Sequence, residues 1–94
     1  MEKDFPLGQI VSSNSGHDKG CYYIVVGKDK DKILLADGKY KLLSKPKKKN
    51  AIHLNRINSQ DTEIATKLKN GQKINDQMIY HTLYEYQKLS KEDK

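Results

Sequence analysis

Apolar positions come in short bursts over the first 58 residues of this chain and at helical intervals after them. Gln9 to Ser13 carries the β-branched pair Ile10 and Val11, and Cys21 to Val26 runs Tyr22-Tyr23-Ile24-Val25-Val26 without a polar break. Ile33 to Ala36 and Lys39 to Leu43 flank Asp37-Gly38, and Ala51 to Ile57 places Ile52 and Leu54 on one side. Bursts this short, rich in β-branched and aromatic residues, predict five strands. Asp-Gly tolerates the positive φ angles of a two-residue hairpin, so strands three and four are predicted to join there. The second strand is apolar on both faces, as in a strand squeezed within a small barrel. Strands so close together predict a strongly bent antiparallel barrel that needs no helix to close it.

Beyond Asn58 the period changes. Ser59 or Asp61 is suited to cap a helix carrying Ile64, Ala65 and Leu68, with Gly71 placed to end it. A second helix is predicted from Asn75, a good N-cap, with Ile74 and Ile79 at the two positions of a hydrophobic staple. Along it Ile79, Leu83 and Tyr86 share a face, and the end from Ser90 to Lys94 is expected to fray. The chain thus divides into a barrel, residues 1–58, and a helical C-terminal extension, residues 59–94.

The turn between the first two strands is the most unusual local feature. Gly16 and Gly20 bracket His17, Asp18 and Lys19. Glycine opens backbone conformations closed to residues with a Cβ, and Asn14 and Asp18 form turns through their own side chains. A turn rich in backbone donors and ending in lysine is suited to phosphate oxygens, although on the glycines alone a purely structural turn is the better account.

Charge sharpens that picture. The 94 residues are 35% hydrophobic and 32% charged, with a net charge of +6. The whole excess lies between Gly38 and Gln60, where Lys39, Lys41, Lys45, Lys47, Lys48, Lys49 and Arg56 occur without a single acid. So local a field attracts a polyanion, and nucleic acid is the leading candidate. The single cysteine, Cys21, excludes an internal disulfide and a thiolate metal cluster. With no apolar run of about 18 residues, these features point to a soluble cytoplasmic protein that does not engage membranes.

Gly8, a short apolar strand, Ser15-Gly16-His17-Asp18-Lys19-Gly20 and a second apolar strand together resemble the KOW motif of ribosomal proteins and transcription elongation factors. Ile33-Leu34-Leu35-Ala36-Asp37-Gly38, Lys45-Pro46-Lys47-Lys48-Lys49-Asn50 and Ala51-Ile52-His53-Leu54 are most similar to bacterial KOW-domain RNA-binding proteins. Those in turn are similar to large-subunit ribosomal proteins of the fourteen-e type. The resemblance covers residues 6 to 58 and departs where many KOW segments have a further glycine and this chain has Cys21-Tyr22-Tyr23. It implies a mainly β fold, a five-stranded SH3-like barrel, that binds structured RNA on or near the ribosome without catalysis or cofactor. Ribosomal RNA is then the foremost partner, ribosomal proteins are further ones, and the free protein is a monomer.

On this reading Lys45, Lys47, Lys48 and Lys49, with Lys39 and Lys41 in the same basic window, neutralise phosphates. Gly16, His17, Lys19 and Gly20 touch a second RNA segment, Arg56 contacts it bidentately, and His53 stacks or hydrogen-bonds beside them. Tyr22 and Tyr23 point to opposite faces of one strand, leaving at most one for a base, and Tyr80, Tyr84 and Tyr86 read as packing residues. His17 and Cys21 lack a third metal ligand. No phosphate-binding glycine loop and no nucleophile beside His17, His53 or His81 suggests an enzyme. The competing function is a protein-interaction module of the translation or transcription machinery, docking through Ile79, Leu83 and Tyr86.

Overall fold

The computed structural model describes residues 5–57 and 63–92. Five strands form one antiparallel sheet: β1 (Ile10–Ser13), β2 (Tyr22–Asp29), β3 (Lys32–Ala36), β4 (Lys47–Asn50) and β5 (Leu54–Arg56). Their order across the sheet is β4-β3-β2-β1-β5, so β4 and β5 are its two edges. Only a short 3-10 turn, Ala51–His53, connects those edges. Four residue steps span at most about 14 Å, whereas the outer strands of a flat five-stranded sheet lie about 19 Å apart. The sheet must therefore curl until its edges approach at this end.

Alternation along the strands separates two cores. Val11, Tyr23, Val25, Ile33, Leu35 and Leu54 form one with Phe5. Ile10, Ile24 and Ala36 form the other with Ile64 of α1 (Glu63–Lys69) and with Ile79 and Leu83 of α2 (Asp76–Glu92). Among the described residues neither α1 nor α2 contributes to the first core, which the curvature of the sheet shelters. The second face of the sheet is covered by the helices, and this is why β2 is apolar on both sides. The expected helix face of Ile79, Leu83 and Tyr86 is thus spent on the chain's own sheet, with Tyr22 edge-on to Tyr86 at 5.7 Å.

Two glycines let the helices come this close. A Cβ on Gly8 would collide with Ala65 of α1, and one on Gly38 with the Asp76 carbonyl and the Tyr80 backbone nitrogen of α2. Both glycines have positive φ, 88° and 79°. Asn75 caps α2 as expected, its side-chain oxygen accepting the Met78 N–H at 2.8 Å, and Ile74 and Ile79 meet in the second core. The predicted caps Ser59 and Asp61 lie outside the described residues. Gly71 adopts φ 72° just after α1, while α2 continues past Ser90 to Glu92.

The fourth strand is the main departure. Lys39 to Leu43 is not a strand, and Asp37-Gly38 is not a two-residue hairpin. The Asp37 carboxylate instead accepts the backbone N–H groups of Lys39, Tyr40 and Lys41 at 2.8–2.9 Å, which winds the chain into a broad loop. Asp76 holds that loop to α2 by accepting the Leu43 N–H at 2.8 Å. The strand that pairs with β3 is the lysine run itself, Lys47–Asn50. Likewise Ala51 to Ile57 divides into the 3-10 turn and the three residues of β5. No helix among the described residues is long and apolar enough to cross a membrane.

Candidate nucleic-acid interface

Gly16 and Gly20 adopt φ 81° and 91°, and the Ser13 carbonyl accepts the Gly20 N–H at 2.8 Å, closing the β1–β2 loop. The loop is anchored at its start, where the Asn14 N–H donates to the His53 carbonyl at 2.9 Å. Neither glycine is crowded: a Cβ on Gly20 would meet nothing within 4 Å. Their requirement is conformational.

Asp18 organises this end of the molecule. Its carboxylate accepts hydrogen bonds from Ser13 Oγ at 2.9 Å, Tyr23 Oη at 3.0 Å and Lys49 Nζ at 2.9 Å, with Lys47 Nζ 3.7 Å away. Lys49 also donates to the Ser15 carbonyl at 3.2 Å. Burial pushes the Asp18 carboxyl up, but the bonds from Lys49, Ser13 and Tyr23 and the Lys47 charge outweigh it and hold the group well below the ordinary carboxylate range. Burial, then the hydrogen bond and charge of Asp18, push the Tyr23 phenol above its usual range.

The basic window therefore does not present a row of equivalent free charges. Lys47 and Lys49 pair with Leu35 and Ile33 and share their face of the sheet, whereas Lys48 pairs with Leu34 and points the other way. Lys49 is committed to Asp18, its side chain only 12% exposed, while Lys47 retains 29%. Lys48 is 3.0 Å from Asp29 in an exposed ion pair, which is worth little against a competing phosphate. Lys45 is exposed just before β4.

The structure thus brings the loop carrying Gly16, His17, Lys19 and Gly20 beside Lys47 and Lys49, with Asp18 between them. His17 and Lys19 are exposed, and half-buried His53 is tied to the loop through its backbone. Lys39 and Lys41 lie instead on the broad loop against α2. Arg56, on β5, stacks its guanidinium on Phe5 at 5.5 Å from the ring. Neither Tyr22 nor Tyr23 offers a free ring, since Tyr23 is buried and Tyr22 is packed on Tyr86. Sequence reasoning missed Asp18 as the hub; its one signal was an acid lodged in a basic glycine loop.

No protein-family model matches this chain, and no curated protein matches it.

Proposed function

We propose that this chain is a non-catalytic RNA-binding protein of the KOW type. Its curled sheet is an SH3-like barrel, and it meets structured RNA, ribosomal RNA foremost, through phosphates. The observation that carries the reading is the union of the glycine loop with the lysine strand through Asp18. That union fixes two basic segments, 31 residues apart in sequence, side by side. Duplex RNA hides its base edges in a deep, narrow groove, so a protein meets it through phosphates, 2′-hydroxyls and shape. Lysine suits that task as a mobile point charge. Lys19, Lys45, Lys47 and Lys48 make the phosphate contacts in this account, Lys48 from the opposite face of the edge strand β4. Lys49 holds the loop in place, and His17 and the backbone at Gly16 and Gly20 approach the second RNA segment.

This division of labour gives a ranked expectation. Lys19→Gln, Lys45→Gln and Lys48→Gln each weaken binding of a ribosomal RNA fragment and each lower the salt-dependence slope by about 0.8, with thermal stability unchanged. Lys49→Gln mainly lowers thermal stability. Filter binding and thermal melts on the four variants decide it; equal, negligible effects of the first three on binding would refute the phosphate surface.

A further inference from the structure

Three tyrosines stand out of an aromatic set that is otherwise buried or half-buried. Tyr40 is 75% exposed, Tyr84 53% and Tyr80 44%. All three line one open groove of about 430 Å³ between α2 and the broad loop, together with Cys21, Lys39 and Lys88. The expectation that Tyr80 and Tyr84 pack inward fails for a helical reason: Ile79, Leu83 and Tyr86 already occupy the buried stripe, and positions 80 and 84 fall on another side of α2. The Tyr80 and Tyr84 rings lie nearly parallel, 23° apart with centroids at 6.3 Å, as an offset stacked pair. Lys39 holds its ammonium 5.1 Å from the Tyr40 ring at the mouth. The one acid among the described lining residues, Asp37, is engaged by three backbone N–H groups.

An exposed π surface in a groove that two lysines also line is complementary to a stacked base carrying phosphates, because every base presents a π face and every linkage a negative charge. We propose that this groove takes an unpaired nucleotide of the bound RNA. Its base lies against the Tyr80–Tyr84 pair, and its flanking phosphates lie near Lys39 and Lys88. Gln87, also in the lining, is placed to bond a base edge. The site rests on the reading of the chain as an RNA-binding protein and adds a second surface, distinct from the Asp18 loop, for single-stranded RNA. It also gives Lys39 a place in recognition away from the lysine strand.

The chain has no tryptophan, so its emission comes from six tyrosines, four of which line this groove together with the single cysteine. An oligouridylate of about eight nucleotides should quench that emission and protect Cys21 from alkylation by N-ethylmaleimide; Tyr84→Ala should weaken it about tenfold and Tyr84→Phe should not. A blunt-ended RNA duplex should bind Tyr84→Ala as well as it binds the parent. Tyr84 is exposed, and an unchanged thermal midpoint verifies that the variant folds. The proposal is overturned if the oligouridylate leaves Cys21 reactive, if Tyr84→Ala binds it equally well, or if a proline-rich peptide protects Cys21 where RNA does not. Duplex binding that persists in any of these cases leaves the Asp18 surface standing. Loss of both RNA probes from the unmodified protein removes both readings.

Discussion

Asp18→Asn should cost about 3 kcal/mol, because removing one member of a buried ion pair strands the other. The neutral amide cannot match the Lys49 ammonium, which keeps little contact with water, and it must also serve Ser13 and Tyr23. The loop would lose its fixed relation to β4, so RNA affinity should fall with stability. The pH dependence carries a distinct signature. A carboxyl depressed in the folded state binds fewer protons there than in the unfolded chain, so stability rises with pH across the interval between the two values. The contribution is complete above the unfolded carboxyl's range near 4 and is lost as pH falls further. Tyr23, raised on folding, works at the opposite end: its contribution is complete below about 10 and is lost as pH rises through its folded value. Denaturant midpoints against pH should show both limbs in the parent, with the acid limb flattened in Asp18→Asn and the alkaline limb in Tyr23→Phe. A parent profile flat below pH 4 would contradict the role assigned to Asp18.

Gly38→Ala should be comparably damaging, at about 3 kcal/mol. The left-handed backbone costs an alanine about 1 kcal/mol, and the added methyl meets α2 backbone that has no side-chain freedom to yield. At about 4–8 °C per kcal/mol for a domain of this size, the thermal midpoint should drop by roughly 15 °C. Gly20→Ala supplies the control. It carries the same backbone penalty at φ 91° with open space around the methyl, so it should lose only about 1 kcal/mol. Equal losses at the two glycines would mean that close docking of α2 is not what Gly38 secures.

Much of this architecture is legible in the sequence where local chemistry and tertiary demand agree. β1 and β2 are rich in β-branched residues and β3 is aliphatic, all three are buried by the packing, and α2 begins where Asn75 and the Ile74–Ile79 staple say it should. The fourth strand is illegible for the opposite reason. Lys47-Lys48-Lys49-Asn50 has little strand propensity, and it becomes a strand because β3 offers a free edge, a position where lysine is well tolerated. Asp37-Gly38 misleads because the Asp37 side chain satisfies three N–H groups that a tight hairpin would not present. The bond from Lys49 to Asp18 is hidden by sequence distance, so a charge count reads Lys49 as free. The exposed tyrosines of α2 are illegible because hydrophobic character does not dictate burial: the helix has one buried stripe, and Ile79, Leu83 and Tyr86 fill it.

The central claim is that the glycine loop and β4 together form a surface that binds RNA through its phosphates. Its most direct test is the affinity of the intact protein for a ribosomal RNA fragment, measured across a series of monovalent salt concentrations. Four phosphate contacts predict a log-log slope of about −3 to −3.6, because each contact releases condensed counterions. A slope flatter than about −1 would show that phosphates contribute little, and would contradict the account.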